Sequence, residues 1–72
     1  MNWDQIAGNW KQLKGRVREH WGRFTDDDVE QIQGRYETLI GKIQERYGAL
    51  RDDAEEQVRE WCDGMPLAKR NS

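Results

Sequence analysis

One histidine and one cysteine are all that this 72-residue chain offers as an imidazole base or a thiol nucleophile. A catalytic base needs a positioned partner, and hydrolytic triads or histidine-based metal sites need more members than one imidazole can supply. His20 therefore reads as a solvated or structural side chain. Cys62 lies between Trp61 and Asp63. A neighbouring carboxylate raises a thiol's pKa and blunts its reactivity, so Cys62 reads as a spectator open to oxidation between chains.

The run Asp26-Asp27-Asp28 invites a metal assignment. Calcium loops, however, place carboxylates at alternate positions around a turn glycine with a distal glutamate, and that pattern is missing. Three carboxylates in a first helical turn suit the positive end of the helix dipole, so capping is the expected role. The glycines form neither a G-x-G-x-x-G fingerprint nor a Walker sequence. The residues thus assign no catalytic, cofactor-binding or metal-binding position. Lys11, Lys14 and Arg18 are the remaining candidates. They share a helical face, with Trp10 and Trp21 nearby, and basic groups among aromatics can grip single-stranded nucleic acid by charge and stacking. Yet the tryptophans fall at core spacing and the isoelectric point is about 5.3. Nucleic-acid contact is the minor reading here.

These side chains must be carried by elements, and the apolar spacing says which. Trp3, Ile6, Trp10, Leu13, Val17 and Trp21 recur at three or four residues, the signature of one helical face. Asn2 caps this run, with Gln5 three residues on and a Met1–Ile6 staple, and Gly22 ends it in a left-handed conformation. Thr25 caps a second run over Val29, Ile32, Tyr36, Leu39, Ile40, Ile43 and Tyr47, with Phe24 and Val29 as a staple and Gly48 as its stop. A third opens at Asp52 with Glu55 as capping partner, carries Ala54, Val58 and Trp61, and closes at Gly64 and Pro66.

The first two runs are one pattern written twice. Ile6–Phe24 lies over Ile32–Leu50 at an offset of 26, with Ile6 on Ile32, Leu13 on Leu39, Val17 on Ile43 and glycine on glycine throughout. A self-match at fixed period implies a duplicated supersecondary unit. The expected architecture is all-α, a small bundle or array of three to five helices. Residues 1–62 form one domain, with units at about 3–28 and 29–54, a closing helix at about 52–62 and a tail over 63–72. Segments 3–24 and 29–50 should superpose and turn alike at Gly22 and Gly48. Trp10, Leu13, Val17, Tyr36, Leu39 and Ile43 should be the most buried side chains.

The glycines set the helix count. Gly8, Gly15, Gly22 and again Gly34, Gly41, Gly48 recur every seven residues. Mid-helix glycine costs about 0.8–1.0 kcal/mol relative to alanine. Breaks are expected at Gly8 and Gly34, with Gly15 and Gly41 inside helices.

Composition limits what such a chain can do. Apolar residues are 35% and charged residues 36%, with a mean hydropathy of −1.19. That suits a marginal bundle rather than a large core, and four tryptophans argue against full disorder. The net charge of −2 conceals +3 over residues 1–24 and −5 over residues 25–72. Attraction between the halves of one bundle accounts for this, as would a basic face for an acidic partner. No apolar run is long enough for a membrane, no signal peptide is visible, and a lone cysteine fits a reducing cytosol, so a cytoplasmic chain is expected. An unknown protein partner or self-association stays open.

The blocks NWDQI, GNWKQLKGRV, FTDDDVEQIQG and LIGKIQERYG resemble the CsbD-like family of small bacterial general-stress proteins. The resemblance runs from Met1 to about Trp61, while Cys62 and the tail depart from it. It implies a short, hydrophilic, all-helical cytoplasmic protein that accumulates under stress or in stationary phase. It supplies no catalytic residues, which agrees with the side chains' lack of an enzyme constellation. Together the two lead to the expectation of a non-enzymatic stress-response protein, the stress role being what the resemblance implies.

Overall fold

Local signals in the sequence cut the chain into five helices. The computed structural model describes residues 2–64, and these form α1 (Trp3–Gly8), α2 (Trp10–His20), α3 (Asp26–Ile32), α4 (Tyr36–Tyr47) and α5 (Arg51–Gly64). There is no strand among the described residues. The all-α expectation holds, at the upper end of the expected helix count. Each of the four successive helix pairs is in contact, so the chain builds an array in which every element packs on its neighbour.

Starts are set by side-chain caps. Asn2 accepts the Gln5 amide at 2.9 Å while the Gln5 side chain accepts the Asn2 amide at 3.1 Å, a reciprocal box that satisfies two donors the helix cannot. Thr25 and Asp28 repeat the device at α3. The Met1 half of the expected staple lies outside the described residues.

Stops are set by backbone. The breaks expected at Gly8 and Gly34 are both present, and both Gly15 and Gly41 sit within helix. Between α3 and α4 the chain turns through Gln33 at φ +48 and Gly34 at φ +78. Glycine is required at the second position: a Cβ there would stand 3.3 Å from the backbone and side chain of Ala7. Gly48 likewise is left-handed, at φ +65, and its amide donates to the Gln44 carbonyl as expected of a C-cap.

Gly22 departs from that expectation. The second helix ends at His20, and Trp21 caps it at φ −102, with Gly22 in the following turn and not in the left-handed region. The turns at Gly22 and Gly48 are therefore not alike. Trp21 is 2% exposed and its indole N–H donates to Gln57 Oε1 at 3.1 Å, so anchoring that ring fixes the end of α2.

The last helix also differs. It opens at Arg51, with the Ala54 amide bonded to the Leu50 carbonyl, so Asp52 lies inside the first turn instead of capping it. Gly64 belongs to the helix, and Pro66 falls outside the described residues. At the 26-residue offset Gln33 and Gly34 become Arg59 and Glu60, so the residues that break α3 from α4 are replaced by residues that continue a helix. For that reason α5 runs 14 residues where α3 runs seven.

The core lies along the contact line of all five helices. Leu13, Val17, Leu39 and Ile43 are buried as expected. Trp10 and Tyr36 are only partly buried and pack on the core's edge, while Ile6, Trp21, Ile32 and Ile40 are fully buried in their place. Each ring has a partner at the core's edge. The Trp10 indole donates to the Val29 carbonyl at 3.3 Å, and Tyr36 meets Trp3 edge-on at 5.9 Å, so both rings bridge elements near the surface.

Candidate functional site

The three basic residues singled out from the sequence are brought together. Lys11, Lys14 and Arg18 lie along α2 and line a groove of about 800 Å³ between α2 and α3, with Gly15 beneath and Asp26 and Glu30 on the opposite wall. Two of the three cations already have partners. Lys14 pairs with Glu30, and Arg18 Nε stands 3.3 Å from Asp26 Oδ1. Both pairs are exposed, so their contribution to stability is small. Their effect is to neutralise the groove locally. The +3 stretch and the acidic stretch that follows it thus meet across the α2–α3 contact.

Asp26, Asp27 and Asp28 separate into different roles. Asp26 faces Arg18, Asp27 is exposed, and Asp28 is turned inward at 1% exposure. Arg46 grips Asp28 bidentately, Nε to Oδ2 and an Nη2 to Oδ1, both at 2.9 Å. Lys42 Nζ adds a third contact at 3.3 Å, and the Thr25 amide donates to Oδ2 at 2.9 Å. The Arg46 guanidinium, helped by these donors against the cost of burial, holds the Asp28 carboxyl well below the usual carboxylate range.

Sequence reasoning missed this cluster by treating the three aspartates as one exposed run. Two signals could have found it. Thr25-x-x-Asp28 is the capping-box spacing, which sets Asp28 apart from its neighbours. At the 26-residue offset Asp28 also falls on Ala54, which is fully buried, so the position faces inward. Lys42 and Arg46, four apart on α4, supply the matching cations.

A second groove, of about 740 Å³, opens between α1, α4 and α5, with Trp3, Tyr36, Val58 and Cys62 among its walls and Glu55 and Arg59 beside them. Burial, with Glu55 nearby, raises the Tyr36 hydroxyl's pKa, so the ring stays neutral there. Burial is also the main reason that the Cys62 thiol is pushed up, with Asp63 adding to it. A buried, protonated thiol is a poor nucleophile, in keeping with the spectator role. His20 packs edge-on against Trp21 at 4.5 Å and near Trp61 at 6.2 Å, a structural place for the one imidazole.

Much of the remaining chemistry also ties helix to helix. The Trp3 indole donates to the Gly34 carbonyl at 3.0 Å, joining α1 to the α3–α4 turn. The Tyr47 hydroxyl accepts the Arg23 amide at 3.0 Å while the Arg23 guanidinium lies 5.5 Å from the Tyr47 ring centre. Arg51 holds Glu37 through two contacts at 2.8 and 2.9 Å, which depresses the Glu37 carboxyl. No helix of the described residues is long and apolar enough to cross a membrane.

Parts of this sequence recur in known proteins. A UPF0337 protein of Agrobacterium fabrum is 57% identical over 30 residues, covering 42% of this chain and 45% of the relative. UPF0337 proteins of Rhodopirellula baltica and of Escherichia coli, the latter called YjbJ, are each 62% identical over 29 residues, or 40% of this chain. The matched stretch spans less than half the length of these relatives. The family model described as CsbD-like matches residues 4–56, from the first turn of α1 to the first half of α5, and by that match the chain belongs to the CsbD-like family.

Proposed function

We propose that this protein serves as a non-enzymatic, general stress-response factor that protects by its amount, charge and solubility. One observation carries the reading: the groups able to do chemistry are largely committed to holding helices together. Lys42 and Arg46 both hold Asp28, two of the three groove cations face carboxylates, three indoles donate across elements, and the single thiol is buried. Membership of the CsbD-like family and a sequence that is 36% charged support the same reading. Deletion is expected to lower survival of drying, osmotic shock or stationary phase and to leave unstressed growth unchanged. Scattered charge-preserving surface changes should rescue as well as the native chain. An exposed alanine substitution that abolishes rescue while the protein stays folded and abundant would overturn bulk protection in favour of a specific partner site.

A nucleic-acid partner seated on the α2–α3 groove would use Lys11, Lys14 and Arg18, and the last two would first have to leave Glu30 and Asp26. Retention of a labelled single-stranded oligonucleotide is therefore expected to be weak and to vanish by moderate salt, because each phosphate contact steepens the salt dependence. Tight binding that persists at about 0.15 M salt and falls on charge reversal of Lys11 would favour nucleic-acid binding instead.

A further inference from the structure

Gly15 and Gly41 stand in the middle of α2 and α4, and both helices line the core. Helix α2 buries Leu13 and Val17, and α4 buries Leu39, Ile40 and Ile43. Both glycines are exposed, neither has a positive φ, and a Cβ at either would meet no atom within 4 Å. The contrast with Gly34 and Gly48 is plain, since those positions need left-handed backbone. Nothing within the fold asks for glycine at 15 or 41, yet glycine there weakens each helix relative to alanine. The two sites are 26 residues apart, so α2 and α4 are weakened at matching points. Helices of 11 and 12 residues cannot stand without tertiary packing, so weakening them loosens the array as a whole.

We propose that Gly15 and Gly41 form a built-in stability limiter, which keeps α2 and α4 close enough to melting that the chain opens under mild heating and offers its core to other unfolding proteins. This deepens the protective reading and rests on it. Opening releases Val17, Trp21, Phe24, Ile40 and Ile43, all buried in the closed form, within a chain otherwise dense in charge. Such a chain covers exposed apolar surface on a client and keeps the pair in solution.

The test compares the full chain with Gly15→Ala/Gly41→Ala. Each alanine should raise the folded-to-unfolded ratio about four- to fivefold and the melting temperature by about 4–8 °C. Suppression of citrate synthase aggregation on heating should then begin at a correspondingly higher temperature. Adding Ile6→Val and Ile32→Val, which trim the core outside α2 and α4, should return both the melting temperature and the onset of protection to the native values. The same two valines in the native background should move that onset downward. An unchanged melting temperature in the alanine variant overturns the limiter, as does a raised one with unchanged protection. If protection stays lost once stability is restored, the added methyls block a contact and the limiter is wrong. A native chain that never suppresses aggregation also overturns it, while the survival phenotype on deletion remains a separate readout of the protective reading.

Discussion

Replacing Leu39 by alanine is expected to shift the urea midpoint far enough that much of the chain is unfolded under conditions where the native protein is folded. Leu39 is fully buried in the first turn of α4, on the same helix as buried Ile40 and Ile43. Deleting a leucine side chain from such a place costs about 2–5 kcal/mol, the sum of lost transfer energy and the cavity left behind. A domain of this length holds only about 4–11 kcal/mol in all, on a scale of 0.05–0.15 kcal/mol per residue. One substitution therefore removes a large fraction of the total.

Leu13 supplies the internal control. It occupies the corresponding point of the first run but retains 8% exposure, against none for Leu39. A leucine near the surface can be backfilled by water or by neighbouring side chains, so Leu13→Ala should cost less than Leu39→Ala. Chemical denaturation followed by tryptophan fluorescence checks both, with the slope expected to stay constant while the midpoint moves. Equal midpoints for the parent and Leu39→Ala would mean that α4 does not pack as described.

Periodicity made the helix faces legible, because a 3.6-residue repeat of apolar side chains has one structural solution and local caps mark its limits. Asn2, Thr25, Gly34 and Gly48 could each be read from sequence since their roles depend on the nearest few residues. What failed to show was whatever depends on distant partners. Trp10 and Trp21 look equivalent along the chain, yet only Trp21 is enclosed, by Trp61, Phe24 and Gln57, which lie three to forty residues further on. The same ring displaces the helix stop from Gly22. Helical spacing puts Lys11, Lys14 and Arg18 on one face of α2, but the carboxylates that meet two of them come from α3, and sequence spacing alone gives no distance to Asp26 or Glu30.

The Asp28 cluster yields the second large effect, and it carries a pH signature. Asp28→Ala removes the carboxylate that accepts the Thr25 amide and strips Arg46 and Lys42 of their shared anion. Breaking a buried pair from one side costs about 3–5 kcal/mol. The lower end is expected here, because the Arg46 side chain is 40% exposed and can turn its charge to water. Asp28→Asn keeps one acceptor oxygen for the Thr25 amide but loses the charge and turns an NH2 donor toward Arg46 or Lys42, so it should still be milder than the alanine, about 1–3 kcal/mol. The pH dependence follows from the depressed carboxyl. Folded Asp28 resists protonation more than the unfolded chain does, so its contribution is complete above the unfolded value of about 3.9 and drains away as pH falls toward the folded value. Native stability should therefore decline below about pH 4, and in Asp28→Asn that decline should be distinctly shallower. Exposed Glu37, held by Arg51, leaves a small residual slope in both proteins. Acid titrations of the two melting temperatures that run parallel would show that Arg46 and Lys42 do not hold Asp28 in solution.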